Sequence, residues 1–167
     1  MTLVPAAVHD QNAAPAAASP FGDLPEWNLA DLYPSMDGPE LTGDLARGLA
    51  DAEAFEAKAK GRLADIAATG DAAALLALVK DYEALQDRLG RIGSYAGLVY
   101  CGDTTDPVRA KFYGDIQDKI TRASTHLLFF ELEMNRIDDA AIDALIAEDS
   151  RLAHYRPWLE DIRKEKP

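Results

Sequence analysis

Between Asp71 and Gly102 the large apolar positions fall at Leu75, Leu78, Tyr82, Leu85, Leu89, Ile92, Ala96 and Val99. Their spacing alternates three and four residues without a slip, which predicts a long helix whose seam packs in an antiparallel helical hairpin. Asp71 is placed to cap it, and the helix should end near Gly102. Gly90, Gly93 and Gly97 lie within this helix, each weakening it while leaving room for a neighbouring backbone. Upstream, Leu41, Leu45, Leu49, Ala52, Phe55, Ala59, Leu63 and Ile66 predict one continuous helix from Pro39 to a left-handed stop at Gly70. Either Asp37 caps it with Glu40 at the third position, or Gly38 caps it with Pro39 at the first.

Downstream, Asp106 followed by Pro107 is a strong start signal. A third helix should run to about Asn135 with Val108, Phe112, Ile116, Ile120, Ala123, Leu127, Phe130 and Met134 inward. The run Leu127-Leu128-Phe129-Phe130 is apolar nearly all round and should be sandwiched between two layers. A short helix over 139–147 follows, then a segment opened by Pro157 that carries Trp158, Leu159 and Ile162. No segment alternates with period two, and no repeat of fixed length is visible. The fold class implied is all-α, long antiparallel helical hairpins forming a helical bundle.

The N-terminus reads differently. Pro5, Pro15, Pro20 and Pro25 block a continuous helix, so residues 1–25 read as a flexible Ala/Pro-rich leader or extended arm ahead of a helical domain over 26–167. The next stretch, 26–38, carries Trp27, Leu29, Leu32 and Tyr33, rings and branched chains worth ordering only if they bury across the helical body.

Net charge narrows the partners. At −12 the chain repels nucleic acid and anionic membrane surfaces, and no Lys/Arg stripe offsets that field. No stretch approaches the length of a transmembrane helix, and the N-terminus lacks the basic region of a secretory signal, so a cytoplasmic location is expected. Cys101 is the sole cysteine, which excludes an intrachain disulfide, and no Lys, Arg or His within five residues would stabilise its thiolate.

Candidate chemistry is scarce. His9, His126 and His154 are too far apart in sequence for two to share a metal from one helix, and His-Glu-x-x-His is absent. Ala123 and Arg151 stand where a di-iron bundle needs glutamates. Glu131 and Glu133 point to different helix faces. Asp103 and Asp106 flank a loop with too few oxygens for calcium. No residue is therefore assigned a catalytic, cofactor-binding or metal role.

Several short motifs nonetheless occur in a telling order. Trp27-Asn-Leu-Ala-Asp-Leu-Tyr33 has the form W-x-L-x-x-L-Y; Ser94-Tyr-Ala-Gly-Leu98 and Asp103-Thr-Thr-Asp106 follow; then Phe129-Phe-Glu-Leu-Glu133 and Tyr155-Arg-Pro-Trp-Leu-Glu-Asp-Ile-Arg163. In this order they resemble the opening of the oligoendopeptidase F family of zinc metallopeptidases, over roughly residues 26–167. The resemblance implies an all-helical peptidase that hydrolyses short peptides in a closed channel, with zinc held by a catalytic helix that has no matching position here. This chain would then be the N-terminal helical domain, one wall of the channel, ending before a C-terminal catalytic domain that would be its partner. The runner-up is a free-standing helical protein-interaction module, motivated by the Leu75–Val99 seam. A domain separated from its partner is also expected to associate with itself, with Trp158 and Phe129–Phe130 as contacts.

Overall fold

The computed structural model describes residues 27–164, so the leader expected over 1–25 lies outside the described residues. Seven helices follow one another: α1 (Pro39–Ala59), α2 (Leu63–Thr69), α3 (Ala72–Gly102), α4 (Pro107–Thr125), α5 (Leu128–Met134), α6 (Asp139–Glu148) and α7 (Arg156–Arg163). Single stretches of 3-10 helix cover Leu29–Asp31 and Ser150–Tyr155. The all-α expectation holds, with no strand among the described residues.

Helices α1, α3 and α4 form a three-helix bundle. Lys58 of α1 meets Asp81 of α3 at 2.7 Å while Arg88 of α3 reaches back to Asp51, so the two run antiparallel. Helix α4 returns along α3 through the short Asp103–Asp106 connection. The seam on α3 is the axis of the molecule: Leu75, Leu78, Tyr82, Leu85, Leu89, Ile92 and Ala96 are all buried, and only Val99, near the helix end, is half-buried. The starts obey local chemistry. The Asp71 carboxylate accepts from the Ala74 amide at 2.9 Å, and the Asp106 carboxylate accepts from the Val108 amide at 2.8 Å. At α1 the cap is Gly38 with Pro39 in the first turn.

Two helices expected to be continuous are broken. The first ends at Ala59, and the chain turns at Gly61, whose φ of +80° lies in the left-handed region that favours glycine. The turn lets α2 fold back and bury Leu63 and Ile66 against the end of the bundle, which a straight helix would carry past it. The third helix stops at Thr125; His126 and Leu127 tighten the turn with a 2.9 Å bond from the Leu127 amide to the Ser124 carbonyl. That re-aims α5 so that Phe129, Phe130 and Met134 enter the core while Leu128, expected inside, is 62% exposed. Val108 and Trp27 are also outside, contrary to expectation. Val108 sits on the first turn of α4, facing an open groove, and Trp27 precedes the 3-10 turn, beyond which Tyr33 takes the buried place.

Candidate functional site

The residues of greatest interest gather at the end of the bundle where α3 begins. Phe130 is fully buried at the centre of an aromatic cluster, 4.8 Å from Tyr82 and 5.2 Å from Phe55 between ring centroids. Trp158 of α7 lies 5.8 Å from Tyr82 and stacks near-parallel on Phe130. Offset and tilted pairs at these separations each add to plain burial. Phe129 and Phe130 are therefore spent inside the domain, and the expected association through them is corrected; Trp158 is half-buried against its own core.

Helix α5 ties this end together through its two glutamates, which do face different ways. Glu131 accepts a 2.8 Å hydrogen bond from the Tyr82 phenol, which itself accepts from Gln86 at 2.6 Å. Burial, helped by the neighbouring Glu131 carboxylate and opposed by the Gln86 bond, pushes the Tyr82 phenol well above its ordinary pKa. Glu133 accepts from the Gly61 amide with both carboxylate oxygens, at 2.8 and 3.1 Å, pinning the break between α1 and α2. On the far side of α7, Arg163 donates to the carbonyls of Met134 and Ile137 and to Asp139, clamping α7 on the α5–α6 corner.

Beside the cluster a groove of about 690 Å³ runs along the outer face of α3, walled by Tyr155 and Trp158 and floored by Val79, Tyr82, Gln86 and Gly90. A Cβ added at Gly90 would meet nothing within 4 Å, so this surface is smooth and open. Its rim carries Glu83, Asp87, Arg91 and Ser94; Glu83 is engaged by the Tyr155 hydroxyl at 2.6 Å. This is a surface that can hold an extended chain by apolar contact and side-chain hydrogen bonds.

The candidate groups considered from the sequence lie apart from one another. His126, at the end of α4, donates from Nδ1 to Glu56 at 2.6 Å, and its Nε2 lies 4.0 Å from Glu53. The two ring nitrogens diverge, so these carboxylates and the imidazole do not converge on one point, and no group of three metal-ligating residues exists among the described residues. Bonds from Lys60 and then His126 hold the Glu56 carboxyl below its usual range. His154 packs edge-on against Tyr155. Asp103 accepts from the amide and hydroxyl of Thr105, which lowers its pKa, and Asp106 is the cap of α4. Cys101 is exposed. The contacts of the two described histidines are thus a glutamate for His126 and a tyrosine ring for His154. Among the described residues the donor set does not fit a zinc ion.

The segments singled out by order along the chain meet in pairs. Tyr33 and Tyr95, from the first two, touch edge-to-face at 5.4 Å. Phe130 and Trp158, from the last two, stack in the aromatic cluster. Residues 133–167 match the family model for oligopeptidase F, the N-terminal part of M3 peptidases. The match begins at Glu133 and runs through α6, the second 3-10 stretch and α7, the elements that close the aromatic end. It supports an M3-type peptidase N-terminal region. No curated protein and no solved structure matches the chain.

Sequence reasoning missed three participants. Gly61 sits within an otherwise helical apolar pattern between Lys60 and Arg62, and that glycine was the available signal for the break. The roles of Glu133 and Arg163 depend on contacts with distant backbone, for which local sequence carries no mark.

Proposed function

We propose that this chain is the N-terminal helical domain of an oligopeptidase F-like zinc metallopeptidase, a non-catalytic wall that limits the size of peptides admitted to the enzyme's channel. The observation that carries the reading is the oligopeptidase F match over 133–167, falling on the helices that build the wall of the α3 groove. Supporting it, the described residues make a helical body with a groove whose open apolar floor is suited to an extended chain. Zinc and the groups that polarise the scissile carbonyl would come from the parent's catalytic part; the residues here would exclude folded or long substrates by shape. A cytoplasmic location belongs to the same reading.

Immunoblotting of source cells with an antibody against this chain tests it. A product several hundred residues larger is expected; a product of 18.1 kDa would overturn it. Purified chain should neither retain zinc on dialysis nor hydrolyse short peptides with zinc added. A free-standing helical protein-interaction module draws less support from the Leu75–Val99 seam that motivates it, since the seam positions from Leu75 to Ala96 are buried within the chain.

A further inference from the structure

The groove along the outer face of α3 sets uncompensated carboxylates beside aromatic rings. Tyr155 and Trp158 wall it, both half-buried, and Glu83 and Asp87 stand exposed at its rim. Four residues apart on one helix, the two carboxylates share a face with about 5–6 Å between their Cβ atoms, a spacing at which like charges repel. Arg91, four residues beyond Asp87, is the cation placed to relieve them, but it is turned away. Its guanidinium donates to the Leu32 carbonyl at 2.6 Å and lies 4.8 Å from the centre of the Tyr33 ring. Glu83 is met by a neutral donor, the Tyr155 hydroxyl, at 2.6 Å. Among the described residues Asp87 has no hydrogen bond or ion pair. Two other hollows differ: beside Phe112 two carboxylates face two cations, and beside Leu159 three face three with no aromatic ring among them.

We propose that the α3 groove receives a peptide by an arginine side chain, whose guanidinium lies along Trp158 and Tyr155 and pairs with the Asp87 and Glu83 carboxylates. The guanidinium suits both halves of the site. Its plane stacks on aromatic faces, and its fork of N–H donors matches a carboxylate. It also supplies the positive charge that Arg91 withholds. The inference rests on the reading that this groove takes an extended peptide, and adds to it the class of side chain selected.

Fluorescence titration of the full chain carrying Trp27→Phe, which leaves Trp158 as its one tryptophan, tests it. The probes are acetyl-Ala-Ala-Arg-Ala-Ala-amide and the same peptide with citrulline, which keeps the shape of arginine without its charge. The arginine peptide should bind at least about tenfold more tightly, and less so as salt is raised. Asp87→Asn should remove most of that preference. Asp118→Asn, which takes the same charge from the exposed face of α4 outside the groove, should leave it unchanged. Both aspartates are exposed, so each variant should fold, which unchanged circular dichroism verifies. Equal affinity for the two peptides would overturn the charge selection while leaving the groove a peptide site. A preference that survived Asp87→Asn, or fell equally with Asp118→Asn, would also overturn it, assigning the effect to the acidic surface at large. No response of Trp158 to either peptide would overturn both this inference and the peptide reading of the groove.

Discussion

At the aromatic end, α1, α3, α5 and α7 converge on Phe130, and four rings from four elements surround it or its neighbours. At the opposite end the same α1 and α3, now with α4, enclose only Tyr33, Leu41, Ile92, Tyr95, Ala96 and Ile116. There the covering element is a single 3-10 turn, held by the Arg91 guanidinium, which donates to the Leu32 carbonyl at 2.6 Å and lies over the Tyr33 ring at 4.8 Å. One end is closed by interlocked helices; the other is closed by a strap and left with an open apolar groove. The lesson is that one helix can serve a densely covered end and a sparsely covered one, because stability follows what is packed on it rather than its own regularity.

The sharpest way to break this contrast is to empty each end in turn. Phe130→Ala should lower unfolding free energy by about 3–5 kcal/mol in urea titration, because the rings around it cannot all collapse into the space. Equal loss from trimming the strap would refute the asymmetry. Gly61→Ala tests the break on which the aromatic end depends. With nothing within 4 Å of the added Cβ, its cost is the left-handed backbone alone, about 1–2 kcal/mol.

The strap carries its own pH signature. Burial, together with the bond Tyr33 donates to Asp44 at 2.8 Å, raises the Tyr33 phenol from 10.0 to about 12. The folded chain therefore keeps a proton that the unfolded chain loses, so stability is intact below pH 10 and falls as pH rises toward 12. Tyr33→Phe should cost about 1 kcal/mol at neutral pH, by loss of one hydrogen bond, and should flatten the alkaline decline. Tyr82 titrates in the same direction at the other end, so a residual slope in the variant is expected. The smallest effect is a gain: Gly90→Ala should stabilise α3 by up to about 1 kcal/mol, since open space surrounds it. A loss would mean that another surface already lies against the α3 groove.

Much of this was legible along the chain. The α3 seam, the caps at Asp71 and Asp106 and the stop at Gly70 are local matters of period and hydrogen-bond geometry, and they appear where the residues place them. Expectation failed where a periodic pattern continued through a change of direction, at Gly61 and at His126–Leu127, because the apolar residues beyond each break keep helical spacing while facing a different neighbour. Burial of Trp27 and Val108 failed for a related reason: hydropathy says that a side chain would profit from cover, not that cover is present. As for the site, residue spacing tells which groups can share one helix face, whereas the grooves arise from helices brought together out of chain order.

The placement of Trp158 also bears on how the chain is made. During synthesis the strap, α1, α3 and the front of α4 are all available once Ile116 has emerged, so the weaker end can assemble first. The stronger end must wait for α7, because its stacking partner and the Arg163 clamp come last. Until then Tyr82 and Phe130 lack their lid, and a ribosome-bound intermediate would present to the cell's chaperones the same aromatic surface that the finished domain hides.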